Sequence, residues 1–287
     1  MKLRRHPQEP VLSLATILVK GLASYQRASV NDQTIDGDIM RSRLMLPSFI
    51  ASALCVLGLA GPLQADHHDS TGPTMIIGAG QSWVSGVDSG FDIDGDLNEY
   101  HIEIESNFSC ELYYNLEYTR SYGNFEQTTG TFSSFERDLV TAKIGKNYDG
   151  GEGLAGWTLS PYIGLSYLGA DNKFPLGGVN VRSGQDTLYI PFGVKALYHG
   201  DDVSGGIEIT GLYKFEDDQR VIPLGVNQTS KDTMSLQMEV PVRVHLTDSS
   251  FAEFKYVHRR DDFRQSGGAR AADVNEHKLI AGYGFRF

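Results

Sequence analysis

The sequence predicts an all-β fold: a closed, antiparallel, up-and-down transmembrane β-barrel of ten strands. Three observations lead to this prediction. Apolar residues recur at every second position, the alternate positions carry acids and bases in equal numbers, and aromatic residues gather at the ends of the alternating segments. A repeat of two is that of a β-strand, because successive side chains point to opposite faces of a sheet. A barrel of eight strands is the alternative.

The composition excludes several classes of protein. The 287 residues include 36 acidic and 25 basic side chains, so the formal charge is −11 and a nucleic-acid partner is not expected. Glycine, tyrosine and phenylalanine are frequent, and no long apolar helix follows residue 65, which argues against a helical membrane protein. Cys55 and Cys110 cannot build a disulfide framework or a thiolate metal cluster. We predict no cofactor.

Residues 40–65 have the pattern of a secretory signal peptide, with two arginines, an apolar run and a small residue, Ala65, at the expected cleavage point. The same run is just long enough to be a membrane anchor, but Pro47 and Pro62 interrupt it and no basic stop-transfer cluster follows. We therefore expect cleavage near Ala65.

Met40 stands directly before this segment, so we expect translation to begin there. Residues 1–39 would then be a disordered upstream extension. Residues 66–73 would form a periplasmic tail, and residues 74–287 the barrel domain.

The alternation is clearest between Met234 and Leu246, where apolar and polar residues exchange places at every step. The ten predicted strands lie near residues 74–84, 98–106, 110–122, 136–147, 157–168, 186–198, 205–216, 232–246, 251–261 and 276–287. The connections between them alternate in length. Short turns are predicted at the periplasmic end, and longer extracellular loops are predicted at 85–97, 123–135, 169–185, 217–231 and 262–275.

A soluble β-sandwich or a lipocalin-like barrel also alternates, so the charged positions have to decide between the alternatives. Seven acids and seven bases occupy the polar parity of the strands. They are Glu103, Glu105, Glu111, Glu117, Glu208, Glu239 and Glu253, and Lys143, Lys195, Lys214, Arg243, Lys255, Lys278 and Arg286. Such a balance suits a confined lumen, where buried charges must be paired. We therefore expect these residues to form a lumen charge network in a membrane barrel, whose sheet must close because lipid cannot satisfy a free edge.

Aromatic residues near the strand ends predict two girdles at the membrane surfaces. On the turn side they are Phe108, Tyr148, Trp157, Tyr198, Phe251 and Phe285, and on the loop side Trp83, Tyr100, Tyr118, Tyr167, Tyr213 and Tyr256.

The C-terminus ends in alternate aromatic residues, Tyr283, Phe285 and Phe287. This ending resembles the assembly signal of bacterial outer-membrane proteins. Residues 74–287 are similar to the small outer-membrane barrels of the OmpA/OmpX and opacity types, which are porin-like in fold. The resemblance implies export to the outer membrane of a Gram-negative cell. It also implies contact with outer-membrane lipid, lipopolysaccharide and the barrel assembly machinery, and a possible extracellular ligand bound through the loops.

Three carboxylates in the first predicted loop, Asp92, Asp94 and Asp96, are weak candidates for a calcium site. Gly95 comes at the fourth position from Asp92, whereas an EF-hand loop requires glycine at the sixth. The tail also contains two histidines, His67 and His68, beside aspartates. We predict a metal site at neither place.

Catalytic patterns known from barrel enzymes were compared with the strand ends. Omptin proteases pair aspartates opposite an Asp-His pair, which draws attention to His258, Asp261 and Asp262, but a matching second pair is missing. Lipid A deacylases place a serine two residues from a histidine, and neither His258 nor His277 has one. No catalytic residue is predicted.

Ten strands enclose a lumen close to the size that side chains can fill. We therefore predict an outer-membrane barrel with a structural or surface-interaction role and a mostly charge-plugged lumen. A narrow porin-like channel is the first alternative, and a hydrolase with its site at the rim is the second.

Overall fold

The structure is a computed structural model that describes most of the predicted barrel domain. The described residues are 72–88, 91–107, 112–127, 132–151, 154–176, 179–222, 226–230, 233–263 and 272–286. The predicted upstream extension, the signal segment and all but the last two residues of the tail lie outside them, as do Glu111 and Phe287.

The described chain forms ten long strands and two short ones. Their bounds are β1 Thr74–Asp88, β2 Phe91–Asn107, β3 Leu112–Gln127, β4 Phe132–Lys146, β5 Tyr148–Asp149, β6 Trp157–Leu176, β7 Val179–Tyr198, β8 Val203–Ile222, β9 Val226–Ser230, β10 Thr233–Thr247, β11 Ser250–Phe263 and β12 Ala272–Arg286. Within these residues there is no helix long and apolar enough to cross a membrane.

Each long strand pairs antiparallel with the next long strand in the sequence, β8 with β10 included, and one further pairing, of β12 with β1, closes the ring. The short strands lie off this ring, β5 against β6 and β9 against β8. This closed antiparallel sheet confirms the predicted barrel of ten strands. We call the end with Thr74 and Arg286 the turn end and the opposite end the loop end.

The predicted long loops are wrong for most of the loop end, where the strands continue instead. Strand β1 runs to Asp88 and β2 begins at Phe91, while β6 runs to Leu176 and β7 begins at Val179. Backbone hydrogen bonding between two strands continues as long as each has an antiparallel partner. Outside a bilayer both faces of a strand can be polar. The alternation of apolar and polar residues therefore ends earlier along the sequence than the hydrogen-bonded strand does.

The two faces of the wall are the reverse of those in a soluble barrel. Charged side chains such as Glu253 and Lys278 are buried inside, whereas large apolar side chains such as Phe254, Leu279 and Tyr283 are exposed on the outside. An exposed apolar surface of this extent needs a non-aqueous environment. The distribution is that of a barrel surrounded by lipid.

The predicted girdles are partly reproduced. Trp83, Tyr100, Trp157 and Tyr198 are exposed on the outer face. Phe251 is an error in the prediction, because its side chain is only 1% exposed and points into the lumen. It lies on the same strand parity as the inward-facing Glu253, and position near a strand end does not override that parity.

Candidate functional site

The lumen holds most of the charges that the sequence analysis assigned to it. Eleven of the fourteen are buried: Glu103, Glu105, Lys143, Lys195, Glu208, Lys214, Glu239, Arg243, Glu253, Lys255 and Lys278. Glu117 is half-buried, Arg286 is exposed at the turn end, and Glu111 lies outside the described residues.

Ten of these side chains, with His101, form what we call the turn-half network. Its members are His101, Glu103, Glu105, Glu117, Lys143, Lys195, Glu208, Glu239, Arg243, Glu253 and Lys255. They come from β2, β3, β4, β7, β8, β10 and β11, which together make up most of the circumference of the barrel.

Arg243 joins one side of this network. Its Nε donates to Glu253 Oε2 at 2.7 Å, and its guanidinium also lies 3.4 Å from Glu105 Oε1. Lys195 donates to the other oxygen of Glu105. Arg243 also stacks over Phe251, with 5.1 Å from Cζ to the ring centroid. Contacts of Arg243 and its partner Glu105 therefore connect four strands, β2, β7, β10 and β11.

Two lysines carry the network to the other walls. Lys255 Nζ donates to Glu103 Oε2 at 2.5 Å and lies 3.9 Å from Glu239. Lys143 Nζ donates to Glu208 Oε1 at 2.6 Å and also lies 3.9 Å from Glu239. Glu239 thus stands between two ammonium groups that come from different sides of the barrel. The result is a continuous chain of ion pairs across the lumen.

A second group, the loop-half network, consists of Glu99, Arg137, Glu276 and Lys278. Arg137 lies 2.5 Å from Glu276 and 3.3 Å from Glu99, and Lys278 lies 3.4 Å from each of these carboxylates. Glu99, Arg137 and Glu276 were not predicted from the sequence. Each lies an even number of residues from a predicted inward-facing charge on its own strand, as Arg137 does from Lys143. Assigning every such position of each strand to the lumen would have included them.

A bulge adds another inward pair near the loop end. Leu188 pairs with Glu216 and Tyr189 with Lys214, so β8 holds one extra residue at this point. The extra residue reverses the parity of β8 beyond Lys214, so that Asp217 faces inward as Lys214 does. Their ion pair measures 2.8 Å from Nζ to Oδ2.

A small cavity of mixed lining lies along the inner wall. Its walls include Glu117, Lys143 and Arg259, together with Leu139 and Leu212. The enclosed space has room for about one water molecule, so the lumen is otherwise filled at this level.

The weak calcium candidates do not form a site. Asp92, Asp94 and Asp96 belong to strand β2, not to a loop, and their side chains are exposed on its outer face. Alternate residues of a strand are spaced by about 6.6 Å, which is wide for ligands of one ion. Across the described chain, no group of three or more histidine, cysteine, aspartate or glutamate side chains is arranged to hold a metal ion.

Two of the residues compared with barrel hydrolases, His258 and Asp261, lie on opposite faces of β11. His258 faces outward, whereas Asp261 faces inward and accepts a hydrogen bond of 2.8 Å from Arg259. The structure therefore does not bring these two side chains together, and the side chain of Asp262 lies outside the described residues. Of the predicted assembly signal, Tyr283 is exposed on the outer face and Phe285 is half-buried.

No protein-family model matches the sequence, and no curated protein matches it. Solved structures do match. The outer membrane protease OmpT from Escherichia coli has a TM-score of 0.55 at 11% identity, over 78% of this chain and 99% of that chain. The translocator domain of the autotransporter NalP from Neisseria meningitidis has a TM-score of 0.48 at 12% identity, over 87% of this chain and 98% of that chain. Neisserial surface protein A has a TM-score of 0.35 at 14% identity, over 74% of this chain and 97% of that chain.

At these identities the likeness to OmpT concerns the fold alone. The chain has the fold of an outer-membrane β-barrel, and this fold serves proteins of unrelated roles.

Proposed function

We propose that the protein is an outer-membrane barrel with a structural or surface-interaction role and a lumen that does not conduct. The turn-half network is the observation that carries the proposal. A solute passing through would have to separate buried ion pairs that cross the lumen, such as Lys195 with Glu105 and Lys143 with Glu208. Separating such pairs leaves uncompensated charges in a confined space, which is strongly unfavourable.

The loop end supports a role at the cell surface. Strands β6, β7 and β8 each have 20 residues, whereas β10, β11 and β12 have 15, 14 and 15. Five extra residues lengthen a strand by about 17 Å. One flank of the barrel therefore extends further than the other at the loop end. A wall that stands clear of the membrane offers a surface for an extracellular ligand.

Conductance in planar lipid bilayers tests the proposal. We expect the full barrel to give no steady current, and the variant Glu105→Ser/Arg243→Ser to give small, stable steps, because it removes two large side chains from the lumen. Insertion is checked by a shift in gel mobility between unheated and boiled samples, which a closed barrel shows in detergent. Steady conductance of the unaltered protein would establish the narrow porin-like channel instead.

The enzyme alternative has its own test. Incubation with peptides and with lipid A should leave both unchanged, and turnover of either, lost on replacing His258, would favour the rim hydrolase.

Location is part of the same proposal, with lipid, lipopolysaccharide and the assembly machinery as partners. Deleting Phe287 removes at most about 2–3 kcal/mol of apolar burial, so the purified variant should still refold in detergent. If the terminal aromatics are an assembly signal, the amount of this variant in the outer membrane of cells should fall sharply. Equal delivery of both chains to that membrane would contradict the assembly role.

A further inference from the structure

Two histidines stand side by side on the outer face near the loop end. His258 of β11 and His277 of β12 are direct partners in the strand register. Their ring centroids are 4.6 Å apart and the rings are inclined by 30°. Directly opposed residues on one face of a sheet have Cβ atoms about 5 Å apart. The backbone therefore fixes the two Cβ atoms side by side, and in the observed rotamers the imidazoles stack.

The hydrogen bonding of the pair leaves ring nitrogens available for a ligand. The Tyr256 hydroxyl lies 2.8 Å from His277 Nδ1. When Nδ1–H donates to this oxygen, the lone pair of His277 remains on Nε2, as in histidines that bind metals. His258 Nδ1 is buried and makes no hydrogen bond within the part of the chain that the structure describes. A buried polar atom without a partner is unfavourable, and a ligand bound at that nitrogen would satisfy it.

The pair lies at a level that water can reach. His277 is in register with Trp83, which belongs to the exposed aromatic girdle. Further toward the loop end on the same face is the ion pair between Arg260 and Asp273, with side chains 59% and 50% exposed. Aromatic residues mark the membrane surface and exposed charges mark water. The imidazoles therefore stand at the level of the girdle, one outward-facing position from Arg260.

The local charge does not oppose a cation. Arg260, two residues along the strand from His258, is neutralised by Asp273 through contacts of 2.8 and 3.2 Å. Imidazole nitrogen is a preferred ligand of zinc, nickel and copper ions, and a poor one for calcium or magnesium. We propose that His258 and His277 bind one divalent transition-metal ion at the outer membrane surface, with water in the remaining coordination positions and Tyr256 as a positioning residue.

Binding of metal to the refolded full chain tests this site. All variants carry His67→Ala and His68→Ala, because the imidazoles of the tail could also take up metal. With Zn²⁺ in calorimetry we expect one ion per chain. Binding should be abolished in His258→Asn and in His277→Asn, and retained in His245→Asn, which changes a histidine at the turn end. A shift in gel mobility between unheated and boiled samples, as large as that of the unaltered barrel, verifies that each variant is folded.

Two further readouts separate a metal site from a merely structural pair of rings. Electron paramagnetic resonance of bound Cu²⁺ should report two imidazole nitrogens in the parent chain, which carries only His67→Ala and His68→Ala, and no such signal in either single variant. Tyr256→Phe should weaken Zn²⁺ binding by about tenfold, because it removes the group that orients His277. Zn²⁺ affinity that is the same with both histidines replaced, or a spectrum with a single nitrogen in the parent chain, would overturn the proposal.

Discussion

Two arginine–carboxylate pairs have almost the same shortest distance and opposite surroundings. Arg243 and Glu253 join β10 to β11 inside the barrel at 2.7 Å, with side chains 9% and 2% exposed. Arg260 and Asp273 join β11 to β12 on the outside at 2.8 Å, with side chains 59% and 50% exposed. Water can replace either partner of the outer pair but not of the inner one. The comparison indicates that burial, rather than distance, decides what an ion pair contributes here.

The largest effect is expected from Arg243→Leu. This change leaves Glu253 without its closest cation and weakens the neutralisation of Glu105. Breaking a buried pair on one side costs about 3–5 kcal/mol. The free energy of unfolding, measured by urea titration of the refolded barrel, should fall by that amount.

Removing both partners of the inner pair sharpens the comparison. In Arg243→Leu/Glu253→Leu the carboxylate that would be left uncompensated is absent, and Glu105 keeps Lys195 as a partner. The double variant should therefore be more stable than Arg243→Leu alone. If the double variant is the less stable of the two, uncompensated charge is not the main cost of the single change.

A smaller effect is expected from overpacking the same side of the wall. A Cβ on Gly284 would lie 2.2 Å from Cζ of the buried Phe251 ring. Displacing this ring should cost about 1–3 kcal/mol. Gly205→Ala is the control, because a Cβ there has no neighbour closer than 3.4 Å. Thermal unfolding should separate the two, and equal midpoints would contradict the packing of Phe251 in the lumen.

The smallest effect is expected from Arg260→Leu on the outer face. An exposed ion pair contributes about 0–1 kcal/mol, and the new side chain can lie on the adjacent apolar surface. The urea midpoint should stay close to that of the parent chain. A loss as large as that of Arg243→Leu would show that the outer pair is shielded from water.

For the charged lumen, the sequence could predict which residues face inward. Lys143, Glu208 and Arg243 were assigned to the inside because a strand alternates its side chains strictly. The pairing of Glu239 between Lys143 and Lys255 could not be predicted, since it depends on which strands face each other across the ring. Phe251 was wrongly assigned to the aromatic girdle because it lies near a strand end. Its position two residues from the inward-facing Glu253 places it in the lumen instead.

The sequence by itself determined that the chain is a closed β-barrel and which side of each strand faces inward. It could do so because period two and the balance of charges are local properties of every strand. Only the tertiary structure decided how far the strands continue at the loop end, where the bulge in β8 turns Asp217 toward Lys214, and that His258 meets His277. Each of these depends on the register between strands, which is set by the hydrogen bonds of the whole ring and leaves no mark within a single segment.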